Sequence, residues 1–424
     1  MKTPSIIHFF MDSTKQTLKG SWRFYSWAFI LSLLIITGIY CYTVQLKEGL
    51  IVTGMNDHVS WGLYISNFTF LVGLAAAAVM LVLPAYVLKD KDFATVVLIG
   101  EGLAVSALIM CLCFVTVDMG QPTKLWHMMP GAGIFNFPES MLTWDVIVLN
   151  GYLLLNFSIP AYILYCKYMG RKPNRRLYVP LMYLSVSWAV CIHLVTAFLY
   201  SALPARPFWN NALLGPRFLA SAFSGGPAFM ILALMFIRKS TAFQIPDAVF
   251  RKLSLIVVVA AQINIIMLIS EVFKEFYWPT HHSISARYLF FGLEGHRQLV
   301  PWIWTGIAMN ALATLTLTVS KFRHNNLLLC ISCILLFLGI SIEKGLGLIV
   351  PGFIPSPLGE VIEYTPTIIE ILITVGIWSL GLLVFTILVK ISIPIELGKL
   401  RFLKEHKKND INISSDPISD LTSK

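Results

Sequence analysis

Apolar residues run along this chain in ten long blocks, at about 23–44, 61–88, 94–117, 141–166, 178–203, 212–237, 252–275, 299–319, 326–350 and 365–392. Each is near or above the roughly 20 residues a helix needs to cross a bilayer. A backbone in lipid has no water to bond, so such blocks must close their hydrogen bonds internally, as helices. No stretch alternates polar and apolar positions at period two, which argues against a β-barrel. The predicted fold is an all-α integral membrane protein with ten transmembrane helices.

The polar positions divide these blocks further. The stretch from Val59 to Met80, VSWGLYISNFTFLVGLAAAAVM, starts with Ser60, Trp61 and Tyr64, passes one amide at Asn67, and continues through Gly73 into four alanines. Aromatic residues suit the membrane–water interface, and small residues let helices approach closely. The sixth block, FLASAFSGGPAFMILAL, has the same layout: a Phe-rich entry, then small residues. Both cross in the same direction, which predicts parallel four-helix units in helices 2–5 (61–203) and 6–9 (212–350), flanked by helix 1 (23–44) and helix 10 (365–392). Residues 1–22 form a short lead, and 399–424 a polar tail expected to be disordered.

Composition agrees with this. Of 424 residues, 57% are hydrophobic and 13% charged. The net charge of +10 reports topology and excludes nucleic acid as a partner, because most Lys and Arg sit in alternate connections. By the positive-inside rule both termini are cytoplasmic, as expected of a multi-pass protein of the cytoplasmic (inner) membrane. The first block starts too far in, and is too long, for a cleaved signal peptide. The seven cysteines lie within predicted helices, including the Cys330–Cys333 CxxC, and read as packing residues. The outer loops 45–60, 118–140, 276–298 and 351–364 carry Trp, Pro, Gly and His (His281, His282 and Pro357 among them), a surface suited to an extracytoplasmic partner or simply variable loop.

Ionisable groups at membrane depth are costly and therefore candidate functional groups. Helical spacing sorts them into faces. Ser60, Tyr64 and Asn67 share a face of helix 2; Asp145, Tyr152 and Asn156 of helix 4; His193, Thr196 and Tyr200 of helix 5; Asn264, Glu271 and Glu275 of helix 7. Trp144 stands beside Asp145, which could instead cap its helix. Glu343–Lys344 and Glu271–Lys274 read as local ion pairs, with Arg217 the counter-ion of an unspecified carboxylate. A His, an Asp and several hydroxyls in an apolar cavity suit a lipophilic quinone, whose oxygens need donors and whose redox chemistry needs a proton acceptor. Only His193 among nine histidines lies well inside, so a bis-imidazole haem is not expected, and no CxxCH exists for a c-type haem.

Several motifs together resemble the NrfD/polysulfide-reductase membrane-subunit family: VSWGLYISNFTFLVGLAAAA in helix 2, DMGQP at Asp118–Pro122, WDVIVLNGYLLLN at Trp144–Asn156 and SWAVCIHLVTAFLY at Ser187–Tyr200. The ten-helix length, with RFLASAFSGGPA at Arg217–Ala228, YLFFGLEGH at Tyr288–His296 and EKGLGLIVPGFIPSP at Glu343–Pro357, is most similar to its DsrP branch, which is associated with dissimilatory sulfite reduction. The resemblance, over roughly 20–395, implies two four-helix bundles with no haem or iron–sulfur cluster in this chain. It also implies a menaquinone or ubiquinone site near the outer face of the first bundle. The expected partners are the quinone pool, an extracytoplasmic ferredoxin-like iron–sulfur subunit, and multihaem cytochrome c and haem b/iron–sulfur subunits. Where relatives carry a His on the first core helix, this chain has Asn67, Phe68 and Thr69.

On this reading the chain is the quinone-interacting subunit of a quinol:acceptor oxidoreductase in sulfur-compound respiration, not catalytic alone. His193 and Asp145 exchange the proton, Tyr64, Asn67, Trp144, Tyr152, Tyr200 and Arg217 shape the pocket, and Glu101 and Asp118 are the candidates for an inward proton path. The competing readings are a secondary transporter, which predicts Gly/Pro-broken helices at mid-membrane, and a structural anchor in which these groups are dispensable. Helix 6, with Gly225, Gly226 and Pro227, is the expected place for such a break.

Overall fold

The computed structural model describes residues 6–129, 131–278, 280, 283–356 and 359–402. His281, His282, Pro357 and most of the predicted tail lie outside them. Among the described residues ten helices are long and apolar enough to cross a membrane: α1 Trp22–Glu48, α2 Leu63–Tyr86, α3 Val97–Asp118, α4 Met141–Tyr168, α5 Arg175–Ser201, α6 Leu214–Ser240, α7 Asp247–Tyr277, α8 Val300–Thr318, α9 Asn326–Phe353 and α10 Ile368–Glu396. The protein is an all-helical, multi-pass membrane protein. A separate helix, Ile6–Leu18, precedes the first span.

The helix ends follow local chemistry. Asn174 and Asn325 cap α5 and α9 by accepting backbone N–H bonds with their side chains. Thr367 and Glu370 form a capping box at the start of α10. Gly49, at φ 82°, ends α1 in a conformation other residues adopt with difficulty.

Packing repeats along the chain. Helices α2 to α5 contact one another in the cycle α2–α3, α3–α4, α4–α5, α5–α2, and α6 to α9 make the same cycle. α2 and α6, the first members of the two cycles, lie against each other, as do α5 and α6. α1 pairs with α10, and α10 also covers α3. In α2 and α3, 83% of the most apolar window is buried within the fold, against 17% in α1. The chain thus uses its small-residue stretch as an axis and leaves α1 to lipid.

The α2–α6 seam explains the alanines. A Cβ on Gly226 would stand 2.8 Å from Ala77 Cβ and 2.9 Å from Gly73 O, so only glycine permits this approach. Gly38 of α1 and Gly376 of α10 meet likewise: a Cβ on either would lie 2.8 Å from the other's Cα.

The expected break in α6 is absent. The helix is continuous through Gly225, Gly226 and Pro227, because α2 packs tightly beside it. The irregular helix is α2, which tightens into a 3-10 turn at Ala76–Ala78, resumes over Val79–Val82, and ends in a π turn at Leu83–Val87 around Pro84. Its backbone stays helical throughout, so neither helix is unwound as the transporter reading requires.

Candidate functional site

Of the polar residues singled out by spacing, all but Ser60, Asn67 and Glu275 are buried, and they fall mainly into three environments. The first is a set of buried interhelical hydrogen bonds in the first helix cycle. Asp145, 2% exposed, accepts a 2.9 Å hydrogen bond from Thr196 Oγ1 across α4–α5. It lies inside α4, whose N-cap is Ser140, so it is not a cap. One turn from Thr196, the Tyr200 hydroxyl stands 2.5 Å from Thr69 Oγ1 of α2. Thr69 gives its own proton to Ile65 O, so Tyr200 is the donor. Tyr200 also packs against Trp61, Trp209 and Phe218. Tyr152 and Asn156 are buried on the Asp145 face of α4.

His193, one turn below, has Nδ1 2.8 Å from Ala189 O. A carbonyl accepts only from N–H, which places the proton on Nδ1 and leaves Nε2 an open acceptor in the neutral ring. Nε2 has no partner. His193 lines a narrow cleft between α2, α5, α6 and α9.

The second environment is a cavity of about 500 Å³, partly open, bordered by α2, α8, α9 and α10. That volume lies in the usual range for a small-molecule site. Its walls are mainly apolar, including Phe70, Trp302, Phe337 and Trp378, with Ser66, Asn67 and Ser341 as polar points. Asn67 Nδ2 donates to Leu63 O at 2.8 Å, and Oδ1 accepts from Trp378 Nε1 at 2.9 Å. One Nδ2–H remains available to a ligand. Phe70 lines both this cavity and the His193 cleft.

The third is an ionic cluster in the second cycle. Arg217 of α6 pairs with Glu271 of α7, and through Nη2 with Glu343 of α9 at 2.8 Å. Asn310 of α8 donates to the other Glu343 oxygen at 2.8 Å. The two local pairs expected from sequence adjacency therefore do not form. Both glutamates take Arg217 from a third helix instead, Lys274 lies 3.4 Å from Glu275, and Lys344 Nζ has no hydrogen-bond partner.

The remaining expected residues are committed elsewhere. Tyr64 donates to Gln45 Oε1 at 2.7 Å, and Gln45 in turn donates to Val117 O. Trp144 Nε1 donates to Pro138 O. Ser60 lies ahead of α2 and is exposed. Glu101 and Asp118 stand near opposite ends of α3, each with one carboxylate oxygen unpartnered. Glu370, fully buried, accepts from Tyr364 OH, Gly54 N and Thr367 N, tying the α1–α2 connection to α10. Burial, with the Glu370 carboxylate adding to it, pushes the Tyr364 phenol above its ordinary value, so it stays a donor. Among the described residues no group of three His, Cys, Asp or Glu side chains is placed to hold a metal ion.

Sequence spacing put His193, Thr196 and Tyr200 on one stripe of helix 5 and Asp145 on a face of helix 4; it did not pair Asp145 with Thr196 or Tyr200 with Thr69, and it missed Gln45, Ser341 and Trp378. Thr69 is one turn beyond Ile65, whose carbonyl masks it as a self-satisfied helix threonine. Nothing in sequence assigned Trp378, which belongs to a flanking helix.

The chain is similar in sequence to known membrane subunits over most of its length. A selenate reductase subunit of Mesobacillus selenatarsenatis is 24% identical over 405 residues, covering 85% of this chain and 92% of that protein. The Hdr-like menaquinol oxidoreductase integral membrane subunit of Archaeoglobus fulgidus is 24% identical over 385 residues, covering 87% and 93%. Residues 51–354, from near the start of the α1–α2 connection through α9, match the family described as polysulphide reductase, NrfD. The chain belongs to the NrfD polysulphide reductase family of membrane subunits.

Proposed function

We propose that this chain is the quinone-exchanging membrane subunit of a multi-subunit oxidoreductase, with the two helix cycles acting as two four-helix bundles. The observation that carries this is the 500 Å³ cavity beside Asn67, in a chain whose relatives include a membrane subunit named for menaquinol oxidation. Its apolar walls suit a lipophilic ring and tail, and the free Nδ2–H of Asn67 suits a ring oxygen. Menaquinone or ubiquinone fits equally.

Oxidation of a quinol releases two electrons and two protons. The electrons go to an extracytoplasmic iron–sulfur or cytochrome partner docked on the outer loops, with both termini cytoplasmic and the chain in the inner membrane. Resemblance to the DsrP branch favours sulfur-compound respiration. His193 Nε2, across Phe70 from the cavity, is the open acceptor for a proton. Asp145, held by Thr196, is the carboxylate behind it. Tyr64, Trp144 and Tyr152 then support the helices, and Arg217 belongs to the second bundle.

The test is fluorescence-quench titration of the purified protein with a hydroxyquinoline N-oxide quinone analogue. Asn67→Leu should weaken binding about five- to tenfold, the worth of one net hydrogen bond. His193→Ala should leave binding nearly intact and slow quinol oxidation. Saturable binding that Asn67→Leu does not alter moves the ring out of this cavity. No binding by the wild type overturns the quinone reading and favours an anchor.

A further inference from the structure

The short helix ahead of the first span, Ile6–Leu18, has three faces. At about 100° per residue, Ile6, Phe10, Ile7, Leu18 and Met11 fall within an arc of about 140°. All five are exposed, Ile7 by 63% and Phe10 by 57%. Lys15, His8 and Asp12 follow as a polar arc, and Gln16, Phe9 and Ser13 close the circle. Phe9 and Ser13 are buried against the protein. Two threonines, Thr14 and Thr17, share the apolar arc. Their hydroxyls donate to the carbonyls of Phe10 and Ser13 at 2.9 Å, so each is satisfied by its own helix.

The packed face lays this helix across the end of the bundle. The Phe9 ring meets Tyr165 and Tyr168 in the last turn of α4, with centroids 5.6 and 5.4 Å apart. Asp12 accepts from the Tyr168 hydroxyl. Near the other end of the helix, Lys390 of α10 donates to Thr17 O at 2.8 Å and to Lys19 O. The helix therefore runs from one span to another. Its depth is set by the chain: Leu18 lies four peptide steps, at most about 14 Å, from Trp22. There α1 begins, with Trp22, Tyr25 and Trp27 exposed. Aromatic residues at the end of a span mark the headgroup level. Beyond them Phe29, Ile30 and Leu33 of α1 are exposed, the surface that a span turns to acyl chains.

We propose that Ile6–Leu18 is an in-plane interfacial helix whose partner is the lipid leaflet that α1 enters. Ile6, Ile7, Phe10, Met11 and Leu18 dip into the boundary between headgroups and acyl chains, and His8 and Lys15 face water. The occupant is lipid because the apolar arc adjoins, across three residues, the lipid-facing surface of α1. The exposed Lys15, Lys19 and Arg23 around that junction complement anionic headgroups. The helix thereby fastens the ends of α4 and α10 to the leaflet. This inference rests on the placement of the chain in a membrane and is independent of the quinone reading.

The experiment places the photoreactive residue p-benzoylphenylalanine, one position at a time, at Ile7, His8, Phe10, Met11 and Lys15 of the full chain. Ile30 of α1 is the lipid-facing control. The protein is irradiated in its native complex in phosphatidylglycerol nanodiscs, and the intact mass reads what has been joined. Substitution at Ile7, Phe10 and Met11 should give a mass gain of one phospholipid, as at Ile30, and substitution at His8 and Lys15 little or none. Amide exchange over residues 6–18 is the second readout: Phe10→Asp should quicken it and leave α4 unchanged. An adduct with another polypeptide at Ile7, Phe10 and Met11 overturns the proposal in favour of a partner subunit. No adduct there while Ile30 forms one, equal lipid yields around the helix, or exchange unmoved by Phe10→Asp overturns it as well.

Discussion

Replacing Arg217 by Met tests whether the second bundle is built around its charge. The side chain retains 9% of its exposure, Glu343 2% and Glu271 11%, so water cannot take over when the guanidinium is removed. Two carboxylates then lose their shared cation, and Glu343 keeps only the Asn310 bond at 2.8 Å. Removing one partner from a buried ion pair costs roughly 3–5 kcal/mol, mostly the expense of stranding the other charge. The single variant should therefore lose about that much stability, measured by SDS-induced unfolding in mixed micelles followed by circular dichroism. The quadruple variant Arg217→Met, Glu271→Gln, Glu343→Gln, Lys344→Met removes every charge of the buried cluster and should recover to within about 1–2 kcal/mol of wild type. An Arg217→Met protein as stable as wild type, or a quadruple variant no better than the single, refutes the pairing. Loss of quinone-analogue binding in a fully stable Arg217→Met protein would return Arg217 to the pocket that spacing first assigned it.

Three further outcomes follow from individual contacts. Gly226→Leu must push α6 off Ala77 and Gly73 O and should cost about 1–3 kcal/mol as an overpacked seam, read in the same unfolding assay; a neutral effect would mean the α2–α6 contact is not tight. Glu370→Ala leaves three donors unpaired and should cost about 3 kcal/mol, with faster amide exchange at residues 52–54, whereas Glu370→Gln should be milder. The Lys252 ammonium, through its hydrogen bond to Asp90, holds that carboxyl below its ordinary value. A depressed folded value means the stability it adds is complete above the ordinary carboxylate range and is lost as pH falls through the depressed value. Thermal unfolding of wild type and Asp90→Asn should therefore differ at pH 7 and converge in strong acid; a constant gap would refute the contact.

Hydrophobic pattern alone located the ten spans, because the bilayer forces each of them to be long, apolar and helical. The observed bounds depart from the expected ones by a few residues at each end, where caps such as Asn174 and Thr367 set the helix start and apolar content does not. Faces on a single helix were legible as well: Asp145, Tyr152 and Asn156 are indeed buried together. Partners across helices were not. Sequence adjacency suggested Glu343–Lys344, yet consecutive residues on a helix diverge by about 100°, and Arg217, far away in the chain, intervenes between Glu271 and Glu343. The same limit hid Thr69 from Tyr200 and Trp378 from Asn67, pairs separated by 131 and 311 positions.

The two helix cycles share a contact order but not a chemistry, and the difference has a physical consequence. In the first, the polar groups are an acid and hydroxyls in two separate hydrogen-bonded pairs and a neutral imidazole bonded to its own helix, with His193 Nε2 left open. In the second they are full charges, locked by Arg217 into a cluster that leaves only Lys344 unpaired. A neutral ring with an open acceptor can take up a proton with little rearrangement, whereas a paired cluster resists losing any one member. Both loose ends, the acceptor of one cycle and the donor of the other, border the same cleft beside the α2–α6 seam. The small residues that let α2 and α6 approach are what bring these ends near each other. Widening that seam should therefore uncouple the two cycles before it unfolds either one, so Gly226→Ala, a smaller change than Leu, should slow quinol oxidation more than it lowers stability.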